Sequence, residues 1–302
     1  MRSRKPGRIT DSLWYLGREE TGVYFLQGKD AAMLINGGIS YILSDVLAQM
    51  HDFGLDPEKI NKFLILHSHF DHVGIVPYFK RIYPEIELIA SEAAWKVFAK
   101  PKVIEVINNF NQLSARQQNA SEFVQAQDLD WYEGITGTSV GMGDRIDLGG
   151  VALSIVETPG HSNCSISAYE PNSRLLFASD AVGIPYKDTI FPSMNTNISQ
   201  FLDSLETLRR LQVSYLCAEH YGYITGEEAG KFVDMSVEAA LKWKTILENY
   251  YTNSSGDLDV AAREVTAFFY SEKPDYFISP DILEGVFKQM LKYLAKTVQQ
   301  ID

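Results

Sequence analysis

The apolar positions of this chain change period several times, and those changes mark out its elements. Three short runs rich in aliphatic and aromatic residues, Leu13 to Leu16, Val23 to Leu26 and Ala31 to Ile35, alternate with Gly17 to Gly22 and Gly28-Lys29-Asp30. Separators of such turn composition predict a β-meander. A helix is expected from about Ser40 to His51, then a strand over Phe63-Leu64-Ile65-Leu66, whose unbroken apolar character suits burial on both faces. A second helix, roughly Gly74 to Tyr83, stops at Pro84, and another buried strand follows over Ile86 to Ala90.

From Ser91 to about Gln127 the period becomes helical. Pro101 suits the first turn of a helix, and Val103, Val106, Ile107, Phe110 and Leu113 recur at three-to-four-residue spacing. The β pattern resumes near Asp144, so the segment of about residues 91–133 is an insertion between sheet elements and a candidate lid. Strands are then expected at Val151 to Val156, Ser165 to Tyr169, Leu175 to Ala178 and Val213 to Ala218, with a helix from about Ser199 to Leu211. Beyond Gly226 the β signal disappears, and helices are predicted at 227–251, 257–270 and 280–298, the last entered through Ser279-Pro280. The expected division is an α/β domain over 1–226 and a helical extension over 227–302.

Composition narrows the function classes. Apolar and charged contents of 45% and 22% are those of an ordinary globular protein. The 27 basic and 39 acidic residues leave a net charge of −12, which opposes attraction to phosphate backbones, so no nucleic-acid partner is expected. No apolar run follows the basic start Met1 to Gly7, and no stretch reaches the ~18 apolar residues of a membrane span. A cytoplasmic location without membrane attachment is expected. Two cysteines, Cys164 and Cys217, do not suggest a disulfide framework; Cys217 reads as core, and Cys164 either supports the metal ligands from behind or is simply buried.

The candidate chemistry lies in the histidines. Of six, five fall at three places: His67, His69 and His72 in the run His67-Ser68-His69-Phe70-Asp71-His72, then His161 and His220. The run follows a strand, His161 follows the turn Thr158-Pro159-Gly160, and Asp180 and His220 each close a strand, where α/β folds place ligands. Packing gives no reason to collect so many polar groups, whereas imidazole nitrogen and carboxylate oxygen suit zinc, iron and manganese. His51 reads as an ordinary helix-end residue. Tyr221 and Tyr223, beside the last histidine, could donate to a substrate oxygen or simply pack.

These pieces, with Gly143 to Gly150 and Phe177-Ala178-Ser179-Asp180 in the same order, resemble the metallo-β-lactamase fold superfamily across residues 12–222. The resemblance implies an αββα sandwich with a dinuclear centre. It implies that His67, His69 and His161 hold one divalent ion, that Asp71, His72 and His220 hold a second, and that Asp180 bridges them. Zinc is the first expectation, with iron or manganese also served. Two cations roughly 3.5–4 Å apart would bring a shared water to hydroxide near neutral pH, with Asp71 as the catalytic proton shuttle.

Gly37-Gly38-Ile39-Ser40, Pro77-Tyr78, Leu88 to Glu92, Gly160-His161-Ser162 and the two helical regions are further similar to the thioesterase-like quinolone signal response branch. That implies hydrolysis of a small ester or thioester, with lactone or phosphodiester hydrolysis as alternatives. A regulatory protein that keeps the metal site and acts through a partner surface is the reading from a different class, and a homodimer is an allowed assembly. One departure from the family is Asn36, where many relatives have aspartate. It suggests a ligand loop that has lost a charged support.

Overall fold

The computed structural model describes residues 1–298, so the last four residues of the expected 227–302 extension lie outside the described part. Contacts divide the chain into two compact units at places other than residue 226. The first comprises Met1–Glu157, Cys164–Ser179 and Gln212–Lys231, and the second takes Thr158–Asn163, Asp180–Leu211 and the chain from Phe232 onward.

The first unit is a sandwich of two seven-stranded sheets. One sheet runs Gly7–Arg8, Leu13–Gly17, Gly22–Gln27, Ala32–Ile35, Ile60–Leu64, Glu87–Ser91 and Thr138–Val140 in spatial order. Its first four strands form the antiparallel meander, and from Ala32–Ile35 onward the neighbours are parallel. The other sheet runs Arg2–Ser3, Tyr223–Thr225, Tyr215–Cys217, Leu175–Phe177, Ile166–Glu170, Ala152–Glu157 and Arg145–Asp147.

Period-two alternation sends Leu13, Tyr15, Tyr24, Leu26, Met33, Ile35 and Leu64 from one sheet against Leu153, Ile155, Ile166, Ala168, Leu175 and Phe177 from the other. The opposite faces of the parallel strands are buried too. Phe63, for example, lies edge-on to Phe79 of the helix Val76–Ile82, with ring centroids 5.9 Å apart. Burial on both faces explains why these strands read as continuous apolar runs. The insertion folds as the helices Glu92–Phe98, Pro101–Gln117 and Ser121–Ala126, and the strand Thr138–Val140 then returns the chain to the sheet edge.

The core also reaches toward the last histidine. The buried Tyr24 hydroxyl lies between the carbonyls of Ala218 and Gly222, the latter at 2.9 Å, on either side of His220. Burial pushes the Tyr24 phenol well up from its ordinary value, so it stays protonated and donates. Tyr24→Phe is expected to cost about 1–2 kcal/mol, because buried carbonyls lose their donor. A urea midpoint that falls with an unchanged slope would show it, and an unchanged midpoint would remove this tether from the account.

The second unit contains a hairpin that the sequence pattern did not predict, Ile184–Tyr186 paired with Thr189–Phe191, and the helix Ile198–Leu208. Its C-terminal part takes in the long helix Glu227–Asn253 from Phe232 onward, then Leu258–Glu272 and Pro280–Val298. Phe191 is the hub of its core, with ring centroids 5.3 Å from Trp243, 4.9 Å from Phe269, 6.1 Å from Tyr276 and 5.7 Å from Phe287. Among the described residues no helix is long and apolar enough to cross a membrane.

Candidate metal centre

The strand Ile60–Leu64 ends three residues before His67, earlier than the apolar run suggested, yet its hydrogen bonding continues. Ile65 N–H donates to Ile89 O at 2.8 Å, and Leu66 N–H donates to the Asn36 side-chain oxygen at 2.8 Å. Asn36 is fully buried in the left-handed region at φ 61°, a conformation asparagine tolerates better than most residues. The support expected to be lost with the family's aspartate is thus supplied, without a charge, by a carboxamide.

The last three residues of the candidate ligand run then fold as a 3₁₀ turn, Phe70–His72. Gly37 N–H donates to His72 O, and Gly74 N–H to Gly38 O, each at 2.7 Å. A Cβ on Gly74 would lie 2.2 Å from Ser40 N, so only glycine lets the turn approach this closely. On its outer side the insertion closes over the run: Phe70 and Phe110 rings are 5.2 Å apart, and Ser40 N–H donates to Asn111 Oδ1 at 3.3 Å.

Within the first unit, five of the seven predicted residues are placed: His67, His69, Asp71, His72 and His220. Donor atoms of Asp71, His72 and His220 lie within 4.8 Å of one another. His72 Nε2 is 3.2 Å from His220 Nε2, and the Asp71 carboxylate oxygens are 3.7 Å and 3.5 Å from the same two nitrogens. The His67 ring centroid lies 4.7 Å from that of His69 and 4.0 Å from that of His72.

The second unit holds His161 and Asp180. His161 Nε2 is 3.3 Å from Asp180 Oδ2, and both residues are buried. Gly160, at φ 129°, sets the turn before His161, and its carbonyl accepts from Thr196 N–H at 3.0 Å and Asn197 N–H at 3.1 Å. A Cβ there would lie 2.3 Å from Phe201 N.

The far side of each ring decides whether the donors suit a metal. His220 Nδ1 faces the Glu20 carbonyl at 2.6 Å, and His161 Nδ1 faces the Ser193 carbonyl at 2.8 Å. A carbonyl only accepts, so each Nδ1 carries a proton, and in the neutral ring Nε2 is the nitrogen that keeps its lone pair. His72 Nδ1 bonds the Glu219 carboxylate, with the same result. With both rings neutral, two Nε2 lone pairs 3.2 Å apart beside a carboxylate form a set of donors that a cation can share. The donor set therefore fits a divalent metal, with its histidines held by groups behind them.

Other groups nearby fall into place. Burial and the Glu20 carboxylate push the Tyr41 phenol up, and it donates to Glu20 Oε1 at 3.1 Å. Tyr221 packs beneath the Arg4 guanidinium, and Tyr223 against Tyr15. Cys164 Sγ lies 3.2 Å from Ser68 Oγ, whereas Cys217 is core, its thiol pushed well up by burial. His51 is exposed at a helix end. Sequence reasoning overlooked Ser179 and Glu219, which stand behind the ligand histidines. The available signal was an acidic residue just after the apolar run Tyr215-Leu216-Cys217-Ala218, where a charge is costly to bury.

A sheet sandwich with histidines and aspartates clustered just beyond its strand ends defines the metal-binding α/β class. Within that class, the chain belongs to the metallo-beta-lactamase superfamily, whose family model matches residues 16–220. It is similar to the metallo-beta-lactamase fold-containing protein ST1585 of Sulfurisphaera tokodaii, 21% identical over 67% of this chain and 73% of that protein. A shorter match, 41% identical over 44 residues, covers 15% of this chain and 17% of the hydroxyacylglutathione hydrolase of Rhizobium meliloti. Among solved structures, the metallo-beta-lactamase family protein TTHA1429 from Thermus thermophilus shares the fold. Its TM-score is 0.68 at 18% identity, covering 96% of this chain and 95% of that one.

Proposed function

We propose that this protein is a dinuclear metal-dependent hydrolase of small esters or thioesters, of the quinolone signal response type, working in the cytoplasm. The observation that carries the proposal is the meeting of His72 Nε2, His220 Nε2 and the Asp71 carboxylate, with both imidazoles hydrogen-bonded from behind. In this reading His67, His69 and His161 hold one ion, Asp71, His72 and His220 the other, and Asp180 serves both. Zinc is the proposed metal, with iron and manganese open to the same donors. Divalent cations supply a hydroxide at neutral pH and polarise the substrate carbonyl.

The chain's own residues do the remaining work. Asp71 would take on a carboxylate oxygen the proton lost by the attacking water, and return it to the departing alkoxide or thiolate as the acyl carbon–oxygen or carbon–sulfur bond breaks. The insertion, drawn onto the run by Phe110 against Phe70 and onto Ser40 by Asn111, narrows access in this reading and favours a small acyl group over a polymer. The net charge of −12 works against a polynucleotide. The short match to a hydroxyacylglutathione hydrolase supports the thioester class.

Metal analysis followed by a substrate panel tests the proposal. Two ions per chain and turnover of an acyl-thioester, lost on chelation and restored by added metal, are expected. Full metal occupancy with no turnover of any ester, thioester, lactone or phosphodiester would sink the enzyme reading and favour a regulatory role.

A further inference from the structure

Behind the ligand histidines of the first unit lies a buried network that the metal-binding motif does not contain. Glu219, 1% exposed, accepts at Oε2 from His72 Nδ1 and from Ser179 Oγ, the latter at 2.7 Å. The same Ser179 oxygen is 3.2 Å from His67 Nδ1 and 3.4 Å from His72 Nδ1. Glu219 Oε1 is buried with no hydrogen-bond partner among the described residues.

Counting protons gives the network one direction. A serine hydroxyl has a single proton, and its short contact with a carboxylate oxygen commits that proton to Glu219. Ser179 Oγ can then only accept, so the proton shared with His67 sits on His67 Nδ1. Glu219 Oε2 likewise only accepts, so His72 Nδ1 is also protonated. Both rings are thereby fixed with Nε2 as the basic nitrogen.

Two costs show that this network is more than filling. Ser179 has φ 48°, left-handed backbone that glycine would occupy without strain. Glu219 places a carboxylate in the interior with one oxygen unsatisfied, an arrangement that on its own weakens a fold.

We infer that Glu219 and Ser179 are positioning residues that lock His67 and His72 in the Nδ1–H form and so raise their affinity for metal. This rests on the metal-centre reading of the preceding subsection. It assigns a role to two side chains outside the family's ligand motif, one of which, Glu219, has a carboxylate oxygen within 4.8 Å of donor atoms of His67 and His72.

The test uses the full chain and separates positioning from packing by asking whether stability and affinity move together. Metal-free protein is titrated with zinc against a chromophoric chelator, its melting temperature is recorded, and the visible spectrum of the cobalt-loaded form is taken. Ser179→Gly is expected to leave the melting temperature of the metal-free chain unchanged or higher while weakening zinc binding about tenfold. Glu219→Ala is expected to weaken it about 10–100-fold and to alter the cobalt spectrum. Glu219→Gln keeps an accepting oxygen, and should restore most of the spectrum with an intermediate affinity.

Wild-type zinc affinity and cobalt spectrum in both Ser179→Gly and Glu219→Ala would overturn the inference, as would a third ion in the wild type that Glu219→Ala abolishes, since Glu219 would then be a ligand. If Glu219→Ala does not fold, the Ser179→Gly result decides. A wild-type chain that binds no metal would instead defeat the metal-centre reading, and this inference with it.

Discussion

Asp71→Asn should lower kcat/KM by about 10²–10⁴-fold with the chain still folded, the range expected when a proton-transferring group is removed. Asparagine matches the shape of aspartate and can occupy the same 3₁₀ turn, so the backbone around His69 and His72 has no reason to move. What changes is charge and proton affinity. The carboxylate now divides its two oxygens between His72 Nε2 and His220 Nε2 at 3.7 Å and 3.5 Å, and a carboxamide puts an acceptor toward only one of them. It also cannot take a proton at neutral pH. Metal at the Asp71, His72 and His220 donors should be held less tightly, so the assay needs saturating metal as well as ambient metal. Recovery of full activity at saturating metal would leave Asp71 a ligand only, and near-wild-type activity under both conditions would remove it from the centre.

The largest stability effect is expected from Phe191→Ala, about 3–5 kcal/mol, the usual cost of deleting a buried aromatic side chain. Phe191 is 1% exposed and meets Trp243, Phe269, Tyr276 and Phe287, so truncation leaves a void lined by four large rings that cannot all collapse into it. Phe191→Leu fills most of that space and should lose much less. The second unit also carries His161 and Asp180, so the Ala variant should bind metal less well as it loosens. Urea unfolding with a near-ultraviolet signal from Trp243 would report the change. A loss below about 1 kcal/mol would mean that the ring cluster is dispensable.

The uneven legibility of the sequence has physical causes. The meander was readable because short apolar runs are separated by residues of turn composition, and the strands at residues 60–64 and 87–91 because their buried parts, Phe63-Leu64 and Leu88-Ile89-Ala90, belong to continuous apolar runs. The His67 to His72 run was conspicuous because it gathers groups that no core needs.

The hairpin Ile184–Tyr186 and Thr189–Phe191 was invisible. Pro185 weakens the strand signal, and the turn relies on Lys187 at φ 49°, where no glycine marks it. The strand Tyr223–Thr225 is only three residues long, too short to show a period. Ser179 and Glu219 escaped because each sits beside a predicted ligand and carries no spacing of its own. Their role depends on contacts with histidines more than a hundred places distant in sequence, which a linear pattern does not encode. The division into units was hidden for the same reason, because each unit is assembled from several separate segments.

His220 and His161 are oriented by main-chain carbonyls, those of Glu20 and Ser193, whereas His67 and His72 are oriented by side chains. A carbonyl belongs to every amino acid, so no single substitution at residue 20 or 193 deletes its hydrogen-bond acceptor. The orientation of His67 and His72, by contrast, hangs on two codons. Substitution at position 179 or 219 can therefore change the setting of His67 and His72 by small steps while the carbonyls behind His161 and His220 stay in place.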